Sequence, residues 1–345
     1  MVNKLLEKNL IKNYLQENNI LIKKETFPLL AEVDTIIFDI DGVLVDVSSS
    51  YYQTIIDTGQ YYFHHIVNMT GKANLVDKQT INHFKMVGGF NDDWELSAAA
   101  VLYYLWKMEE YNIKSLEELK NNPPMIDGFI NKNLAGGGGL PKLVTWIKEN
   151  SSSSDNIFLL WNKEKIFQIA KEFYAGEKYC FRLYHFYPSI VGNGEGNIEK
   201  EIILIKPEII EKLKKHHAGI LTGRSKAETR FITEQINQDF WLKPEMVVTS
   251  EDNIKKPSPD GLRDLLEKSQ SRLGLYIGDT MDDLLTVRNL NQEHKKRDCL
   301  SALVLGRDFV DNKNQKEHYL KNDVDILAEN VNQIIELIHR RFCSF

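Results

Sequence analysis

The chain has 345 residues, enough for about two domains with a substantial buried core. Hydrophobic residues make up 42% and charged residues 27%, a globular balance that excludes a disordered chain or a collagen. Acids outnumber bases by 49 to 43, and the net charge of −6 excludes a dedicated nucleic-acid binder while allowing a local cluster of cations that takes a phosphate ester.

The N-terminal stretch carries Leu5, Leu6, Leu10, Ile11 and Leu15 at near-helical spacing, which predicts a helical extension over residues 1–29. It mixes acids with bases and shows no signal-peptide core, and no apolar run approaches the ~20 residues of a bilayer span. The cysteines Cys180, Cys299 and Cys343 form no C-x-x-C pair, and a sparse, odd set fits a reducing cytosol. The expectation is a soluble, cytoplasmic protein, monomer or homodimer, with no membrane or nucleic-acid partner.

Short apolar runs follow at Thr35–Phe38, Ala218–Leu221, Met246–Thr249, Leu273–Ile277 and Ala302–Leu305. Such runs suit strands buried on both faces. Amphipathic stretches at Lys226–Asn237, Asp260–Ser269 and Met281–Asn289 lie between the later ones, a helix is expected from Pro207, and another from after Asn330 to about Arg341. Strand–helix alternation predicts an α/β fold with a doubly wound, Rossmann-like parallel sheet. About 160 residues separate the first strand from the Pro207 helix, too many for a loop. Helical stretches such as Trp94–Tyr111 and Lys163–Tyr174, broken at Pro123-Pro124, Gly136–Gly139, Ser151–Ser154 and Gly192–Gly196, make this an inserted helical domain over 48–204. The catalytic core is then discontinuous, 30–47 and 205–345. Gly136–Gly139 lacks the Gly-Lys-Ser/Thr ending of a P-loop and reads as a flexible loop.

Chemistry concentrates at the strand ends. Phe38-Asp39-Ile40-Asp41-Gly42 sets two carboxylates and a turn glycine directly after the first strand, where open α/β sheets bind ligands. An EF-hand loop is excluded, because its sixth position holds Leu44 rather than glycine. Leu221-Thr222-Gly223-Arg224 offers a hydroxyl, a flexible backbone and a cation suited to a phosphoryl group. Lys256 precedes Pro257, which biases it to an extended backbone. Gly278-Asp279-Thr280-Met281-Asp282-Asp283 crowds carboxylates whose natural partner is Mg²⁺.

This ordered set resembles the haloacid dehalogenase (HAD) superfamily of phosphohydrolases. The insertion after the first aspartates resembles the helical cap of subfamily I, which includes phosphoglycolate phosphatases and β-phosphoglucomutase. Asp39–Ser50 together with Gly88–Trp94 look like a less characterised branch of these phosphatases. The resemblance implies a Mg²⁺-dependent phosphomonoester hydrolase acting on a small phosphorylated metabolite. It implies Asp39 as nucleophile, Asp41 as general acid and base, and Thr222, Gly223 and Lys256 as stabilisers of the phosphoryl oxygens. Arg224 is a further candidate contact to the substrate. Asp39, the Asp41 carbonyl and Asp279 would hold the metal, with Asp283 supporting it or Lys256. An acid at Asp41 points to phosphoryl transfer, since the family's dehalogenases lack one there. A mutase, or a non-catalytic protein that binds a phosphorylated ligand, remains as an alternative. Within the inserted domain, Lys85 and Gly88–Trp94 are candidates for a substrate-selecting loop, with Gly89 allowing close approach and Asn91 and Asp93 offering polar contacts. The other reading of that loop is a helix start capped by Asn91 or Asp92.

Overall fold

The computed structural model describes residues 10–90, 92–192, 194–237, 241–294, 297–305 and 312–342. The chain forms two compact units, Met1–Asp46 with Ile202–Phe345, and Val47–Glu201.

The second unit is helical, with α1 (Tyr51–Tyr61), α2 (Lys78–Val87), α3 (Asp93–Glu110), α4 (Leu116–Asn121), α5 (Ile126–Asn133), α6 (Gly139–Asn150), α7 (Ser154–Leu160) and α8 (Lys163–Tyr184). Helix α3 runs through its interior, buried from Leu96 to Met108, and packs against α1, α6, α7 and α8. Ala98, Ala99 and Ala100 supply the small side chains that let neighbouring helices approach, and Tyr103, Phe129 and Trp146 fill the wider gaps. The helical run α8 is broken at Gly176 (φ 61°, ψ −171°), so its first helix stops close to the expected Tyr174 and a second follows to Tyr184. The Glu177 amide there donates to the Gly194 carbonyl (3.1 Å), and a Cβ on Gly176 would lie 2.2 Å from the Gly196 nitrogen.

The first unit is built on strands β1 (Tyr14–Glu17), β2 (Ile20–Lys23), β3 (Thr35–Phe38), β6 (His217–Leu221), β7 (Val247–Val248), β8 (Gly274–Gly278), β9 (Cys299–Val304) and β10 (Ile326–Ala328), with the short pair β4 (Val45–Asp46) and β5 (Ile202–Ile203) beside them. The large sheet runs β1-β2-β10-β9-β8-β3-β6-β7. All its pairs from β10 to β7 are parallel. Helices α9 (Pro207–Leu213), α10 (Lys226–Ile236), α11 (Asp260–Lys268), α12 (Met281–His294), α13 (Asn312–Lys321) and α14 (Val331–Phe342) connect and follow these strands. This is the doubly wound α/β arrangement the sequence predicts. Strand β3 lies between β6 and β8, with Phe38 level with Ile220 and Ile277. Parallel pairing therefore brings the carboxyl ends of β3, β6, β7 and β8 to one rim.

The helical extension expected over 1–29 is corrected within its described part; residues 1–9, with Leu5 and Leu6, lie outside the described residues. Residues 14–23 form the antiparallel hairpin β1–β2, and β2 pairs with β10. The cause is local: Asn18 and Asn19 both adopt positive φ (48° and 66°), the backbone of a two-residue hairpin turn. Leu15 pairs with Ile22 across the hairpin rather than stacking on a helical turn.

Candidate active site

Asp39 directly follows β3, and its N–H donates to the Ile277 carbonyl (2.9 Å), which extends the β3–β8 ladder by one step. The chain then turns tightly: the Leu44 N–H donates to Ile40 O (2.8 Å) and the Gly42 N–H to Val45 O (2.8 Å). Gly42 sits at φ +73°, and a Cβ there would fall 2.0 Å from Asp279 Oδ2. Both the backbone conformation and the neighbouring carboxylate demand glycine.

Lys256 is the hub of the site. Its Nζ donates to Asp39 Oδ2 (2.7 Å), to Asp283 Oδ1 (2.7 Å) and to the Tyr276 hydroxyl (3.2 Å). The Tyr276 hydroxyl in turn donates a hydrogen bond to Asp283 Oδ1 (2.8 Å). The other oxygen of Asp283 accepts from the amides of Asp279 (3.1 Å) and Thr280 (3.0 Å) and from the Thr280 hydroxyl (2.7 Å). Asp283 thus fixes the turn that carries Asp279 as well as Lys256. The Tyr319 hydroxyl donates to the Asp279 carbonyl and accepts from Gln315 Nε2 (2.7 Å).

Burial acts against every charge here, and neighbours decide each outcome. Burial pushes the Asp39 carboxyl up to about 6; Lys256 opposes this, and Asp283 and Asp41 add to it. Burial alone would lower Lys256, but the Asp283 and Asp39 carboxylates overcome it and hold the ammonium well above its ordinary range. Burial would raise Asp283, and Lys256 outweighs it and keeps that carboxyl low. Burial and the adjacent Asp283 push the Tyr276 phenol well up, so it stays a neutral donor.

Asp41 meets a different cation. Arg224 Nε (2.7 Å) and Nη2 (2.6 Å) both donate to Asp41 Oδ1. Arg224, expected as a contact to the substrate, is buried beside that carboxylate: its side chain is 1% exposed against 28% for Asp41. Thr222 is buried and its hydroxyl accepts from the Arg224 amide (3.3 Å), while Gly223 is exposed with open space where a Cβ would stand.

Asp39, Asp279 and Asp283 each offer a carboxylate oxygen, all within 4.8 Å of one another. A Mg²⁺ ion bonds oxygen at about 2.0–2.1 Å, so opposite ligands stand roughly 4 Å apart, and this set fits one hard cation. The raised Asp39 carboxyl points the same way, because a cation would favour its ionised form. Both Asp283 oxygens already accept hydrogen bonds, which suits it to holding Lys256 and the Asp279 turn.

The residues of the expected substrate loop in the helical unit also make local structural contacts. Asn91 lies outside the described residues, as does Cys343. Asp92 caps α3, accepting from the Trp94 (2.9 Å) and Glu95 (3.0 Å) amides, and Asp93 pairs with Lys85 (3.0 Å). Gly89 packs on the second glycine run: a Cβ on Gly139 would lie 2.2 Å from the Gly89 carbonyl oxygen. The run is therefore close-packed at Gly139, while Gly136 is exposed with open space around it. The aromatics near Tyr179–Tyr187 stack on each other, Phe181 on Tyr187 at 4.8 Å and Tyr184 on Phe186 at 6.2 Å.

Tyr276, Tyr319 and Gln315 went unmarked at the sequence level. A tyrosine inside the otherwise aliphatic Leu273–Ile277 run was the one available signal, since a buried phenol requires a polar partner.

No family model matches the chain. Over 266 residues it is 23% identical to an imidazoleglycerol-phosphate dehydratase of Phytophthora nicotianae; the match takes in 75% of this chain and 42% of that protein, so the chain spans less than half the length of this curated relative. Among solved structures it is similar to phosphatase Tt82 from Thermococcus thioreducens, with a TM-score of 0.53 and 25% identity over 83% of this chain and 99% of that one. A structural-genomics target shares the fold, with a TM-score of 0.58 and 16% identity over 91% of this chain and 100% of that one. A HAD-superfamily hydrolase of subfamily IA from Geobacter sulfurreducens overlaps at a TM-score of 0.38 and 13% identity, over 89% and 97%. The doubly wound α/β fold of the sheet unit is one that the solved Thermococcus phosphatase shares.

Proposed function

We propose that the chain is a Mg²⁺-dependent phosphomonoesterase working through a phosphorylated Asp39. The observation that carries this reading is the convergence of Asp39, Asp279 and Asp283 around one cation-sized space, with Lys256 bridging Asp39 and Asp283. Bound Mg²⁺ would be held by Asp39, the Asp41 carbonyl and Asp279, and would supply positive charge against the phosphate oxygens.

An Asp39 oxygen attacks phosphorus while the bond to the leaving oxygen breaks. The protonated Asp41 gives that oxygen its proton. A water molecule then attacks the phosphorylated Asp39, Asp41 takes the water's proton, and the phosphorus–Asp39 bond breaks to regenerate the carboxylate. Lys256 orients Asp39, and with the Thr222 hydroxyl and the Gly223 amide it stabilises charge on the transferring oxygens. The helical unit would act as a cap that excludes bulk water and selects the substrate. We place the enzyme in the cytoplasm, acting on a small phosphorylated metabolite.

A phosphate-release screen over small phosphate esters, with Mg²⁺ and with chelator, tests the reading. A phosphorylated imidazole glycerol belongs in the panel, given the sequence match to a dehydratase of that name. Turnover is expected only with the metal. Asp39→Asn should lower it by more than about 10⁴-fold while the protein stays folded. Isomerisation of a sugar phosphate without phosphate release would assign a mutase instead. Retained activity in Asp39→Asn would overturn the nucleophile.

A further inference from the structure

Arg224 is not used in the mechanism above, yet it is the most buried charge on that rim after Asp283. Its backbone is pinned on both sides. The Arg224 amide donates to the Thr222 hydroxyl (3.3 Å), and its carbonyl accepts from the Ser250 amide (3.0 Å) and the Ser250 hydroxyl (3.1 Å). The guanidinium is therefore a fixed fork rather than a mobile arm, and two of its nitrogens point at one oxygen, Asp41 Oδ1. Asp41 itself sits in the turn after β3 and keeps partial exposure, which a group exchanging protons with substrate and water requires.

We propose that Arg224 is the positioning residue for the acid–base step: it occupies Asp41 Oδ1 and leaves Oδ2 as the oxygen that hands a proton to the leaving group and takes one from water. The assignment rests on the phosphatase reading and adds to it a residue outside the nucleophile, lysine and metal sets. A carboxylate without this clamp turns about its side-chain bonds, and small misplacements of an acid cost rate steeply. The loss should fall on substrates that need a proton at the leaving oxygen and spare those that do not.

The test uses the full chain with Mg²⁺ and measures kcat/KM, which reports formation of the phosphorylated enzyme, for 4-nitrophenyl phosphate, phenyl phosphate and an alkyl phosphate. Arg224→Met should lose about 10²-fold on the alkyl ester, in the range of general-acid contributions, and less than about tenfold on the nitrophenyl ester. Added guanidinium should restore part of the alkyl-ester rate. Adding Asp41→Asn to Arg224→Met should cost little more on the alkyl ester, because the two residues act as one unit. If Arg224→Met does not fold, Arg224→Lys carries the test, with the same order of losses at smaller size. Equal losses across the three esters with a raised KM would make Arg224 a phosphate contact and overturn the proposal. Equal losses with unchanged KM and a lower melting temperature would make it a structural ion pair and also overturn it. No turnover of any ester by the unmutated protein would bring down the phosphatase reading, and this assignment with it.

Discussion

Two buried lysines, one in each unit, show opposite responses to the same burden. Lys256 in the sheet unit is held well above its ordinary range, because the Asp283 and Asp39 carboxylates outweigh its burial. Lys107 on α3 is 1% exposed and has no ion-pair partner among the described residues; burial drives its ammonium down to about 8. The sheet unit buries charge in matched sets at its strand ends. Among the described residues, the helical unit buries mostly aromatics and alanines, and its Lys107 goes without such compensation. Burial of charge is a liability unless partners are supplied, and partners are supplied at the strand ends, where the proposed phosphoryl chemistry needs a rigid charge pattern.

The contrast breaks most visibly at Lys256. Lys256→Met leaves two buried carboxylates facing each other, and should destabilise the metal-free protein by about 3–5 kcal/mol in urea titrations. Added Mg²⁺ should recover part of that loss by taking the place of the missing charge, and phosphate release should fall by roughly 10²–10³-fold. Unchanged stability would mean that the carboxylates are not uncompensated.

Lys107→Met should act in the opposite sense. The folded lysine titrates near 8 against an ordinary 10.5, so at pH 7 it is charged in both states and its burial cost is fully present. As pH rises from 8 to 10.5, the folded state is neutral while the unfolded state still holds the proton, and the cost disappears. The methionine variant is expected to gain about 3 kcal/mol at pH 7 and little at pH 10.5, read from thermal melts across that range.

Tyr276→Phe is the finest probe. It removes one hydroxyl from the Lys256–Asp283 set and keeps the ring, so about 1–2 kcal/mol of stability and a few-fold in kcat should be lost, with KM unchanged. A change in KM would move Tyr276 from support to substrate contact.

Much of this was legible before the structure. Thr35–Phe38 and Leu273–Ile277 read as strands because burial on both faces leaves an unbroken apolar run. Asp39, Lys256, Asp279 and Asp283 were marked because each follows such a run, and parallel pairing brings those ends together. The hairpin at 14–23 was misread because its leucines fit a helical period as well as alternation, and the Asn18-Asn19 turn that decides between them was passed over. Arg224 was recognised as a cation at a strand end, but a sequence does not say which way a guanidinium points. Lys107 left no trace in the pattern, since a lone lysine in a helix ordinarily faces water.

The pairing of β2 with β10 has a consequence for how the chain is made. Ile22 waits about 300 residues for Ile326, and β3 waits for β6 and β8, so the sheet is dominated by distant partners. Every segment of the helical unit lies between Val47 and Glu201, so its partners emerge from the ribosome together, before β6 exists. Beyond the local β1–β2 hairpin, β2 and β3 are thus among the last strands to find their remaining neighbours, and the turn after β3 that carries Asp39 stays unformed through most of translation while the unit threaded between its two halves already has all it needs to collapse.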